Sequence, residues 1–183
     1  MARALVLLAE GFEEIEAVTP IDVLRRAGVE VTSVGVGGRR VTGARGVVLE
    51  ADCTLEEAPR EVDLVVLPGG MPGAENLARS AGVKALVEEV RRQGKRVAAI
   101  CAAPAVALAP MGLLAGRRAT CYPGFEQRFP PQVSASQEPV VVDEWLVTSR
   151  GPGTALEFSL TLVEQLMGPA QAQALRGKML VRS

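Results

Sequence analysis

"KRVAAICAAPAVALAP", residues 95–110, is the stretch that decides the fold. Its first half, "RVAAI", is a continuous apolar run of strand length, and its second half, from Ala102, reads as a buried helix of residues 102–111. Cys101 stands where one pattern gives way to the other. A strand with no polar face belongs to a sheet covered on both sides, so the segment implies a mostly parallel sheet with helices above and below.

The same alternation extends outward. Toward the N-terminus, "VDLVVLPGG" (62–70) is a buried strand, and residues 76–92 place Leu77, Val83, Leu86, Val87 and Val90 at helical spacing. "RALVLLA" (3–9) is a first strand, residues 13–27 an amphipathic helix, and "VEVTSVGV" (29–36) a second strand. Gly37-Gly38 turns the chain into "RRVTGARGVVLEAD" (39–52), which reads as a hairpin. Toward the C-terminus, "PVVVDEWLVTSRGPG" (139–153) gives a hairpin-like pair, and Thr154 opens a helix that Gly168-Pro169 stops. With 183 residues, 48% of them hydrophobic, the chain suffices for a single compact domain, residues 1–183.

Composition removes several classes of function. The formal charge is -1 with no basic block, so no dedicated nucleic-acid surface is expected, and aromatic residues make up only 3% of the chain, too few for a base-stacking platform. The N-terminal apolar run meets glutamates rather than a small-residue cleavage site and is read as a strand, not a signal peptide. Residues 97–116 carry no charge, but Pro104, Pro110 and the many alanines favour strand, turn and core helix over a membrane span. Cys53, Cys101 and Cys121 form neither a disulfide framework nor a C-x-x-C zinc motif, so no metal and a reducing cytoplasm are expected. No G-x-G-x-x-G opens a helix and no G-K-[ST] occurs, so no cofactor of the dinucleotide or nucleotide class is expected.

Ligands of such sheets collect at the carboxyl ends of the strands, which selects residues 10–16, 68–73, 101–104 and 149–154. Cys101 occupies the strand–turn–helix position that presents nucleophiles in other α/β enzymes, where helix N–H groups favour a thiolate. The alternative is a small thiol used as packing, the reading adopted for Cys53 and Cys121. The chain contains no histidine, and copies of itself cannot supply one, so acid–base work falls to carboxylates or the thiol. Of Glu10, Glu13, Glu14 and Glu16, only Glu16 shares a helical stripe with Phe12, Pro20, Val23 and Ala27, and a carboxyl on an apolar face has a raised pKa. Glu13 and Glu14 are free to face water. Gly69 and Gly70 after a strand could aim N–H groups at a bound oxygen, and Arg150 with the backbone of "SRGPGT" could line the same pocket.

Four motifs, "LLAEGFEEIEAVTPIDVLRRAG", "VVLPGGMPGAENL", "VAAICAAPAVALA" and "LVTSRGPGTALEF", resemble the ThiJ/PfpI superfamily, in order and over essentially the whole chain. The chain looks most like the branch of the Parkinson-disease-linked deglycase and its bacterial relatives. The resemblance implies a flavodoxin-like three-layer sandwich, a homodimer, a reactive Cys101 paired with Glu16, and backbone donors at Gly70 and Ala102, with Gly69, Tyr122, Arg150 and Pro152 lining the pocket. It implies a cofactor-independent glyoxalase or deglycase acting on 2-oxoaldehydes such as methylglyoxal or on glycated protein. A redox sensor or stress chaperone built on oxidation of Cys101 is the rival. A peptidase or amidotransferase is disfavoured, because Ala102 stands where the peptidase-like branch has a histidine. Tyr122, in "TCYPG", stands where many deglycase-branch members have a pocket histidine.

Overall fold

A computed structural model describes residues 1–182. Its centre is a seven-stranded sheet that grows from four parallel, largely buried strands: β1 (Arg3–Ala9), β2 (Glu30–Val36), β6 (Leu64–Leu67) and β7 (Arg96–Ile100). Between β2 and β6 lie the hairpin β3 (Arg40–Thr42) and β4 (Val48–Glu50) and the two-residue β5 (Cys53–Thr54). After β7 come the short parallel pair β8 (Arg118–Ala119) and β9 (Ser134–Ala135), then the antiparallel β10 (Val140–Asp143) and β11 (Leu146–Ser149). The sheet order is β10-β11-β7-β6-β1-β2-β5, and only β10 runs antiparallel to its neighbour.

Helix α1 (Glu14–Arg26) packs on α4 (Ala155–Met167), which packs on α5 (Pro169–Lys178). Helices α2 (Gly73–Arg79) and α3 (Ala81–Arg92) group with β1, β6 and β7. The apolar strands are thus covered by helices, and Leu5, Val6, Leu7, Val65, Val66, Ala98 and Ala99 are fully buried. This is the flavodoxin-like arrangement, and it brings the four selected strand-end loops to one edge.

Three elements differ from the sequence reading. Residues 76–92 are two helices, because Ser80 leaves helical geometry and its side chain accepts the N–H of Val83, capping α3 afresh. Gly168-Pro169 ends α4 as read, but Pro169 then occupies the first turn of α5, where its missing N–H costs nothing. Residues 102–111 do not form a regular α-helix: Pro104–Leu108 is a π-helical turn in which Ala109 donates to the carbonyl of Pro104. Among the described residues, no helix is long and apolar enough to cross a membrane.

Candidate active site

The end of β7 places Cys101 at φ 64, a left-handed conformation that β-carbon-bearing residues adopt at a cost of roughly 1–3 kcal/mol. Its N–H donates to the carbonyl of Ser149 at the end of β11 (2.9 Å), and its carbonyl accepts the N–H of Tyr122 (2.8 Å). These two bonds hold the kinked residue from both sides. The thiol is buried at 9% exposure, with the backbone N–H groups of Gly70 and Ala102 directed at the sulfur.

Glu16, on the first turn of α1, is completely buried. Its Oε2 accepts the N–H of Gly69 over 2.9 Å, and the carboxyl faces the Cys101 thiol closely enough for each group to shift the other's titration. Burial pushes Glu16 up to about 7; the nearby Glu13 adds to the rise, and the bonds from Cys101 and Gly69 oppose it. Cys101 is pushed up to about 12, first by burial and then by the charge and hydrogen bond of Glu16, against the pull of the Gly70 and Ala102 N–H groups. The expectation of a thiol acidified by a helix N-terminus is therefore overturned. A regular helix does not begin there, and burial, with the Glu16 carboxyl next to the sulfur, outweighs the two backbone donors. The two groups act as one coupled pair: the first proton leaves near neutrality, from the carboxyl, and the remaining one stays with the thiol.

The other glutamates have structural work. Glu13 caps α1, its Oε2 accepting the N–H of Glu16. Glu14, expected to face water, is half-buried, and its Oε1 accepts the N–H groups of Arg45 (2.6 Å) and Val47 (3.4 Å), pinning the β3–β4 turn to α1. Glu10 accepts the N–H of Thr42.

Above the sulfur lies a cavity of about 330 Å³ lined by Ala44, Arg45, Gly70, Met71, Cys101, Ala102, Tyr122, Phe125 and Pro152. Gly69 sits behind this wall: a β-carbon there would fall 2.6 Å from Cys101 Cβ and 2.7 Å from Glu16 Oε2. Arg150 lines a separate cavity of about 90 Å³ with Cys121, Glu126 and Ser136, so the sequence brought it to the right loop but not to the right side of it. Burial raises the Cys121 thiol to about 12. The sequence does not mark Ala44, Arg45, Met71 and Phe125 as lining; the first two reach the cavity on a hairpin turn that Glu14 holds.

This fold and site define a class: α/β sandwich proteins that present a cysteine at a strand–turn elbow, faced by a buried carboxyl. Within it, residues 2–165 match the model of the DJ-1/PfpI family, and the chain belongs to that family. It is similar to Protein DJ-1 homolog B of Arabidopsis thaliana, 42% identical over 182 residues that make up 98% of this chain but only 42% of the relative, so it spans less than half of that protein. It is 40% identical to the Parkinson disease protein 7 homolog of Danio rerio, covering 98% and 97% of the two chains. It is 35% identical to the glutathione-independent glyoxalase DJR-1.2 of Caenorhabditis elegans, covering 94% and 92%. Among solved structures, oxidized Toxoplasma gondii DJ-1 superposes over 100% of both chains with a TM-score of 0.94 at 40% identity.

Proposed function

We propose that this protein is a cofactor-independent glyoxalase that converts 2-oxoaldehydes such as methylglyoxal, or their early adducts on glycated protein, to 2-hydroxy acids. The observation that carries the reading is the Glu16–Cys101 pair at the floor of a cavity in a chain without histidine. A relative named as a glutathione-independent glyoxalase supports it.

In the proposed reaction the Glu16 carboxylate is the base that takes the thiol proton as the sulfur attacks. Sulfur bonds to the aldehyde carbon, and the oxyanion of the hemithioacetal accepts the N–H groups of Gly70 and Ala102. Glu16 passes the thiol proton to that oxyanion, and the carboxylate so freed moves a proton from the former aldehyde carbon to the adjacent keto carbon, through an enediol. The resulting 2-hydroxy thioester is hydrolysed by water, which releases the 2-hydroxy acid and restores the thiol. No external oxidant is needed, because one carbon is oxidised as its neighbour is reduced.

Methylglyoxal consumption by the wild type, Cys101→Ser and Glu16→Gln tests the proposal. Cys101→Ser should be inactive and Glu16→Gln slower by about 10²–10⁴-fold. Wild-type protein with a reduced Cys101 that leaves methylglyoxal untouched at every pH would refute it.

The second reading is a redox sensor, favoured by the two N–H donors and the protonatable Glu16 around the sulfur, a setting suited to a sulfinate. Peroxide would supply the oxygen atoms and leave as water. Selective oxidation of Cys101 by mild peroxide, seen by mass spectrometry together with absent aldehyde turnover, would favour this reading over the first.

A further inference from the structure

The cavity above Cys101 has a polar floor and apolar walls. The floor is the sulfur with the Gly70 and Ala102 backbone, and the walls are Ala44, Met71, Tyr122, Phe125 and Pro152. Resting on the proposed role of Cys101 as nucleophile, we propose that this site selects 2-oxoaldehydes bearing a flat apolar tail, aryl glyoxals above all, over the methyl-tailed parent.

The aromatic wall is built before any ligand arrives. The Tyr122 N–H is bonded to the carbonyl of Cys101 itself, and the Phe125 N–H donates to the carbonyl of Tyr122 (3.0 Å), so both rings are tied to the peptide of the nucleophile. The rings meet edge to face, 6.3 Å between centroids at 79°. On one side Tyr122 rests close to Gly151, where an added β-carbon would come within 3.2 Å of its Cδ2. On the other, the Arg128 guanidinium lies 5.3 Å over Phe125. Rings held this way lose little freedom when a ligand covers them.

Tyr122 at 45% and Met71 at 39% are nonetheless exposed large apolar side chains, and both stand at this one mouth. A methyl group would leave them wet. An aryl ring projecting from the sulfur-bound carbon would cover them and meet Tyr122 and Phe125 in the offset or edge-on geometry that aromatic pairs prefer. Arg45, at the exposed tip of the hairpin, supplies a planar guanidinium that stacks on such a ring. The volume of about 330 Å³ suits a small ring-bearing substrate and stands at the lower end of small-molecule sites. The proton shift described above then yields a 2-aryl-2-hydroxy acid, with water entering at the thioester carbon.

The test is kcat/KM for phenylglyoxal and for methylglyoxal, with Cys101→Ser as the blank that subtracts aldehyde taken up by arginine side chains. The wild type should favour phenylglyoxal by about tenfold or more. Tyr122→Ala and Phe125→Ala should each lower that ratio by about 3- to 10-fold, and Tyr122→Phe should preserve it. The ratio is internal to each variant, so partial misfolding does not disturb it. A wild-type ratio at or below one, or a ratio that neither alanine variant moves, overturns the selectivity while methylglyoxal turnover leaves the glyoxalase reading standing. Consumption of neither aldehyde overturns both.

Discussion

Gly69 donates its N–H to Oε2 of Glu16 over 2.9 Å, a bond that links residues fifty-three positions apart. It fastens a helix side chain to the end of β6 and fixes the carboxyl where it faces Cys101. The pair therefore depends on backbone placement as much as on its own chemistry.

The pH profile of activity follows from the pair. Its first proton leaves with the Glu16 carboxyl raised to about 7, so kcat/KM for methylglyoxal should rise through a midpoint near pH 7. In Glu16→Gln that midpoint should vanish. Initial rates across the neutral range, in buffers of constant ionic strength, check this.

Stability should carry the opposite slope. Glu16 takes up protons near 4.5 when unfolded and near 7 when folded, so the native state binds the extra proton between these values. The stabilisation is complete below the unfolded value and is lost as pH rises through the folded one, a fall of up to about 3 kcal/mol. Denaturant unfolding of the wild type at acidic and neutral pH should show it, and the Glu16→Gln protein should not.

Gly69→Ala should damage the site by steric means alone. The new β-carbon would meet Cys101 Cβ and Glu16 Oε2, neither of which can retreat into open space. A stability loss of roughly 1–3 kcal/mol is expected, with a larger proportional loss of aldehyde turnover. Unfolding curves and kinetics on the same preparation separate the two effects.

A homodimer, implied by the resemblance, is proposed for this chain. Ile15 and Val18 on α1 and Val47 and Val48 at the hairpin are exposed apolar side chains, and the Glu14 bonds to Arg45 and Val47 hold the two segments together. Sedimentation velocity should give a species of two chains, and Val18→Glu with Val47→Glu should shift it toward one. A wild type that sediments as one chain at all concentrations would remove the proposal.

Much of the fold was legible because β1, β6 and β7 carry continuous apolar runs and the helices between them carry one apolar stripe. Glu16 stood out by the same logic, as an acid on the buried side of α1. What escaped the sequence depended on contacts between distant segments. The Ser80 break hides inside a continuous apolar spacing, and α5 follows a Gly-Pro pair that reads as a stop although proline also suits a first turn. The π-turn after Cys101 has the composition of an ordinary helix. Arg45 reaches the cavity only because Glu14 grips the hairpin, and Arg150 turns to the other side of its loop. The upward shift of the thiol arises first from burial and then from Glu16, an element away, which together outweigh the N–H groups of the local turn.

The most direct test of the Glu16–Cys101 pair is the rate of Cys101 alkylation by iodoacetamide as a function of pH, followed by mass spectrometry that resolves Cys101 from Cys53 and Cys121. The expected result is a rate that rises through a midpoint near 7 in the wild type and loses that midpoint in Glu16→Gln. A rate that stays flat through the neutral range, climbs only from pH 9 upward with ionisation of the thiol alone, and is the same in both proteins would contradict the coupling of the two groups and the chemistry built on it.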